Sequence, residues 1–195
     1  MTNTLERVGN ALCLDLVNTV NQRPAPIYDV LETADGLEVW MSEVGLDVGS
    51  GVAPRQLAPA RRLREDVHEL FAAVVDDRTS PARPLDRIVS RYAAVLTGAS
   101  WPELGRQATG DAAAERLPAW HTDDALANLA GPVTDSALDL LRRAPLDRLR
   151  ACPSCRWLFL DVSRNGQRRW CSMSMCGSRS KSAAYSARTR PDPSG

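Results

Sequence analysis

Four cysteines near the end of the chain fall in the pattern C-x2-C-x15-C-x4-C, with Cys152 and Cys155 in ACPSCRW and Cys171 and Cys176 in RRWCSMSMCG. Two close thiol pairs joined by a short loop suit a tetrahedral metal, because a tight knuckle and a helix start each offer two sulfurs. The spacing predicts one structural zinc ion. A redox pair, an iron–sulfur cluster and four inert thiols are the alternatives it leaves open. Four thiolates would fill the coordination sphere and leave no open position and no protein base beside the metal, so zinc hydrolysis is not expected. The fifth cysteine, Cys13, stands alone in an apolar run and reads as a core residue.

The residues between the two pairs carry strand and turn signals. Trp157 to Leu160 (WLFL) predicts a short strand, Asn165-Gly166 a hairpin turn, and Arg168-Arg169-Trp170 the start of a return strand. After Cys176-Gly177 the composition suits a helix. A knuckle, a hairpin and a helix carrying the second ligand pair make a small treble-clef-like finger over 146–190, with 191–195 as a frayed tail.

Charge divides the chain at nearly the same place. The formal net charge is zero, yet residues 1–141 hold 12 Arg against 21 acids, while 142–190 hold 11 Arg and one Lys against Asp147 and Asp161. The two parts carry about −9 and +10, which argues for two modules with different partners. Arginine alone is weak evidence here, since 23 of the 24 basic residues are Arg and alanine is abundant, as in a GC-rich genome. A basic footprint this dense nevertheless seeks phosphate. The expected nucleic-acid contacts are Arg164, Arg168, Arg169, Arg179, Lys181 and Arg188. The competing explanation is that the basic finger docks on a protein, either its own acidic partner domain or a separate one, as in an interaction adaptor.

Residues 1–145 read as a mainly helical domain, so the fold class is α+β, helices first and the finger second. Leu37, Trp40, Met41 and Val44 share a face, with Asp35 and Glu38 as a capping box and Gly45 as a stop. Leu63, Val67, Leu70, Phe71 and Val74 mark a second helix, and Leu85, Ile88, Val89, Tyr92 and Leu96 a third behind Pro84. A fourth runs from Asp124 to Arg143, split or kinked at Gly131-Pro132. Ala11 to Val20 fits either a helix or a buried strand, and Trp101 to Trp120 either short strands or a long loop. No apolar run approaches the roughly 18 residues of a membrane span. The first ten residues lack a signal-peptide pattern, which makes a cytoplasmic location the expectation.

The pattern C-x2-C-x-W-x-F-x-D-x-S-x-N over Cys152–Asn165, followed by R-R-W-C-S-M-x-x-C-G-x-R over Arg168–Arg179, resembles the bacterial CGNR zinc-finger proteins. In that family the finger follows an N-terminal domain called ABATE, and members are regarded as stress-induced transcription regulators. The stretch Leu14-Asp15-Leu16-Val17-Asn18-Thr19 is similar to the opening of ABATE, and the helical blocks around Trp40 and Arg64 follow in similar order. The resemblance implies zinc, DNA as partner, and a regulatory N-terminal domain that senses a ligand or a partner protein. One position departs: Ser178 stands where the family tetrapeptide has Asn. Asp15, Asn18 and Thr19 are polar residues in a run fit for burial. They face either a ligand pocket together with Trp40 and Arg64, or internal hydrogen-bond partners. No catalytic residue is expected, because His68 and His121 have no Ser, Cys or carboxylate pattern around them. The sequence leaves open a homodimer and the identity of any small-molecule effector.

Overall fold

The computed structural model describes residues 7–21, 28–79, 82–98 and 122–182. Trp101 to Trp120, His121, Arg188 and the tail lie outside the described residues.

The ambiguous N-terminal run begins as helix α1, Leu12–Val17, with Cys13, Leu14, Leu16 and Val17 buried. Six residues are too few to hold a helix in water, so packing must hold this one. It lies against the helices over Leu57–Val75 and Ala125–Arg143. Its first turn has no cap of its own; instead Ser136 Oγ, on the second of these, accepts the Cys13 amide at 3.2 Å. Beyond α1 the chain forms one antiparallel bridge, Val20 to Asp29.

Helix α2 is Ala34–Glu43, and its N-cap is Thr33, whose hydroxyl accepts the Gly36 amide at 3.0 Å. This corrects the expectation that Asp35 caps the helix. Glu38 closes no capping box either; its Oε2 accepts the Val52 amide at 3.1 Å and ties the following loop to the helix. Gly36 is required by closeness, since a Cβ there would sit 2.1 Å from the Val30 carbonyl oxygen. Gly45 ends the segment as expected, at φ +79°.

Helix α3, Leu57–Val75, buries Leu63, Val67, Leu70 and Phe71, the stripe expected from its period. Helix α4, Ala82–Gly98, packs on it through Ile88, while Val89 turns to solvent. Helix α5 is Ala125–Arg143, capped by Asp124, whose carboxylate accepts the Leu126 amide at 3.0 Å. It is one continuous element through Pro132, so of the expected split or kink the split does not occur. Tertiary packing on both sides, with Gly131 and Val133 buried, overrides the missing proline donor.

The finger opens with strand β1, Leu149–Ala151, paired antiparallel with β2, Leu158–Leu160. The expected return strand is therefore corrected. Residues 168–170 form no strand, and the partner of WLFL lies before the knuckle, so the CPSC segment is itself the hairpin tip. Asn165-Gly166 still turns, with Gly166 at φ +62°, but inside a loop. Leu149 and Leu158 sit in the same apolar core as α1, α3 and α5, which fastens the hairpin onto the helices.

Candidate metal centre

The knuckle and a helix start bring the four cysteines together. At the knuckle the Arg156 amide donates to the Cys152 carbonyl at 2.9 Å and the Cys152 amide to the Trp157 carbonyl at 2.8 Å. Arg156 takes the left-handed conformation, φ +64°, that so tight a turn demands. Of the second pair, Cys171 precedes and Cys176 lies within a π-helical turn, Met173–Gly177, capped by Ser172, whose hydroxyl accepts the Met175 amide. The wider turn is followed by ordinary helix through residues 178–182.

The four Sγ atoms lie within 4.8 Å of one another, with Cys155 to Cys171 at 3.4 Å and Cys171 to Cys176 at 3.5 Å. Zinc–sulfur bonds of about 2.3 Å place tetrahedral sulfurs about 3.8 Å apart, so these separations fit the ion. All four thiols are free. Hydrogen bonds from the Cys155 and Cys171 thiols pull the Cys152 thiol down. That same contact with Cys152 pushes Cys155 up to about 12, and Cys171 rises as well. Several thiolates this close would repel one another, and a bound cation would offset that repulsion. Val8, Trp157 and Phe159 are buried around the sulfurs, with Tyr28, Trp170 and Met175 packed outside them. Four cysteine ligands would fill the coordination sphere of a tetrahedral ion, the donor set of structural zinc sites.

The loop after β2 is organised by Asp161, which the sequence reading passed over. Its buried carboxylate accepts the Ser163 amide at 2.9 Å and the Arg168 amide at 2.8 Å, and the Ser163 bond holds its pKa below the usual carboxylate range. Of the basic residues expected at a nucleic-acid surface, Arg168 is committed internally. Its guanidinium donates to the carbonyls of Val8, Trp170 and Cys171 and lies 4.6 Å over the Phe159 ring. Arg164, Arg169, Arg179 and Lys181 are exposed. Arg169 stacks at 5.1 Å on Trp170. Among the described residues none of these four is paired with a carboxylate. Ser178, at the departing position, is exposed and returns its hydroxyl to the Met173 carbonyl at 3.0 Å.

The five residues weighed as ligand contacts fall at the seam between the helices and the finger or in the core beside it. Asp15 accepts the Gly9 amide at 2.9 Å, and burial pushes its pKa up. Asn18 brackets Leu158, donating to its carbonyl at 2.8 Å and accepting its amide at 3.0 Å. Thr19 donates to the Leu16 carbonyl and accepts from Arg64 at 3.2 Å. Arg64 forks onto Asp29 at 2.5 and 2.8 Å and also reaches Glu65. Trp40 is 2% exposed and belongs to the core. A cleft of about 900 Å³ opens elsewhere, between α2 and the start of α5, lined by Glu38, Arg55, Gln56 and Asp124 among others and by none of these five.

With the geometry in place, two family matches account for the chain in order. Residues 148–189 match the CGNR zinc finger, and residues 10–144, more than half the chain, match ABATE, described as "Putative stress-induced transcription regulator". The chain belongs to the ABATE family. Its ABATE region thus ends at the close of α5, and the finger begins just before β1. No curated protein matches the chain. Among the described residues of the ABATE and finger regions no helix is long and apolar enough to cross a membrane.

Proposed function

We propose that the chain is a non-catalytic transcription regulator of the cytoplasm that binds duplex DNA through the exposed cations of its zinc finger. The observation that carries this reading is the set Arg164, Arg169, Arg179 and Lys181, all exposed and none paired with a carboxylate among the described residues. Unpaired surface cations around a metal that does no chemistry suit a polyanion, and Arg grips phosphate or guanine bidentately. Arg179, near the start of the finger helix, is the candidate for base contact; the other three clamp phosphate, and Arg168 holds the finger in shape. The ABATE domain then senses a ligand or partner and conveys it to the finger, with a homodimer as the form that occupies a symmetric site.

The test is anisotropy of labelled duplex DNA with the full zinc-loaded chain over a salt series. Three phosphate contacts give a log–log slope of roughly −3, and Arg169→Ala with Lys181→Ala flattens it by about two units. Binding that is absent at low salt would sink the proposal. A second reading, a finger that docks on protein, has one observation in its favour: Arg156 reaches Asp76 of the helical region at 3.7 Å. It would gain if DNA binding failed while a protein partner bound through the same cations.

A further inference from the structure

We propose that the zinc centre and residues 8–21 form one cooperative unit, so that loss of the metal loosens the ABATE domain and damage to the Arg64–Asp29 clamp weakens metal retention. This rests on the four-cysteine zinc site and is independent of DNA binding.

Strand β2 has β1 along one edge. Its other edge is occupied by the N-terminal segment. The Leu160 amide donates to the Gly9 carbonyl at 2.9 Å, and Asn10 donates to the Leu160 carbonyl at 2.7 Å. Asn18 takes both backbone groups of Leu158, and the Trp157 indole donates to the Val20 carbonyl at 2.9 Å. The segment thus serves β2 in place of a third strand, and Trp157 and Leu158 follow directly on the Cys152–Cys155 knuckle. From the opposite side Arg168 reaches back to the Val8 carbonyl, and Val8 belongs to the apolar shell around the sulfurs.

The far end of the segment is tied just as firmly to the helices. The Val30 amide donates to the Thr19 carbonyl at 2.9 Å, and Val20 bridges to Asp29. Arg64 of α3 holds both the Thr19 hydroxyl and the Asp29 carboxylate. Between these anchors lies α1, which is too short to persist without its packing. If the knuckle opens, the bonds from Gly9, Asn18 and Val20 lose their partners, and buried polar groups left without partners are costly. The coupling is reciprocal by linkage, so whatever disturbs the Arg64–Asp29 clamp must also lower zinc affinity. The segment flagged by its buried polar residues is therefore the route by which metal state and ABATE state communicate.

The experiment uses the full chain, zinc-loaded or stripped by a chelator, with amide hydrogen exchange as the readout. Exchange over 12–20 should rise at least tenfold on zinc removal, and a rise shared by α4 extends the unit to the whole domain. In parallel, Asn18→Ala and Arg64→Ala should lose zinc to a chromophoric chelator about tenfold more readily than the natural chain, as loss of buried hydrogen bonds implies. Trp157→Phe keeps an aromatic side chain in the shell while removing the indole N–H that bonds Val20 and part of the ring volume, a milder change than the other variants; a several-fold loss is expected. Exchange over 12–20 that is unchanged on zinc removal, or variants that all hold zinc as the natural chain does, would overturn the proposal.

Discussion

Arg64 is 4% exposed and its charge is answered chiefly by Asp29, so Asp29→Ala leaves a buried guanidinium with the Thr19 hydroxyl and the half-exposed Glu65. The expected cost is about 2 kcal/mol, read as a lower urea midpoint at unchanged slope. Burial opposes ionisation of Asp29, but the Arg64 hydrogen bonds and charge outweigh it and hold its pKa below the ordinary value. The Ser163 bond does the same for Asp161. Both groups therefore contribute stability that is present above the unfolded carboxylate pKa of about 3.9 and is lost as pH falls through their lower folded values. Asp15 has the opposite sign, since burial raises its pKa and acidification relieves it. Unfolding free energy measured against pH should fall steeply below about pH 4, and Asp29→Asn should flatten that fall. The cysteine ligands were legible in the sequence because metal geometry imposes a spacing. Asp161 was legible in principle, since D-x-S is a turn in which the carboxylate meets the backbone two residues on. Asn18 was flagged as a buried polar group, but its partner lies 140 positions away and leaves no local trace.

Helix α5 runs through Pro132, which has no amide to donate to the Asn128 carbonyl. Pro132→Ala restores that donor, and the expected outcome is a gain of about 1–3 kcal/mol with a higher melting temperature; a loss would mean that the half-buried ring is needed for packing. Helical stripes were readable because period and burial coincide in α3 and α5, and even so a proline that sequence rules take as a break is overridden by contacts on both faces. The finger hairpin was misjudged for a related reason. Two β-prone stretches flank WLFL, and pairing is decided by which strand shares the core, here Leu149 rather than Trp170. Arg168 shows the same limit, because its neighbours in sequence suggest a cationic run while its guanidinium is spent on three carbonyls. Arg168→Ala should accordingly lower the melting temperature and leave the salt slope of DNA binding unchanged, whereas Arg169→Ala should shift that slope by about one unit. An Arg168→Ala chain with full stability and a flattened slope would place the side chain on phosphate instead.

At the scale of the molecule, the change of charge after residue 141 falls close to the passage from ABATE to finger. The shared core was not marked. Leu149 and Leu158 join α1, α3 and α5, and residues 8–21 run along the free edge of β2, contacts between segments far apart in sequence. Everything above the residue scale in the C-terminal part depends on the metal, since structural zinc supplies on the order of 10 kcal/mol of apparent folding free energy to modules of this size. The finger helix, the exposure of Arg179 and Lys181, and the seam with α1 all presuppose a closed four-sulfur cage. Metal analysis of the purified chain, by native mass spectrometry with elemental quantification, tests this most directly. One zinc per chain is expected, lost on Cys171→Ser; a chain without metal, or with iron and visible absorbance, would contradict the account.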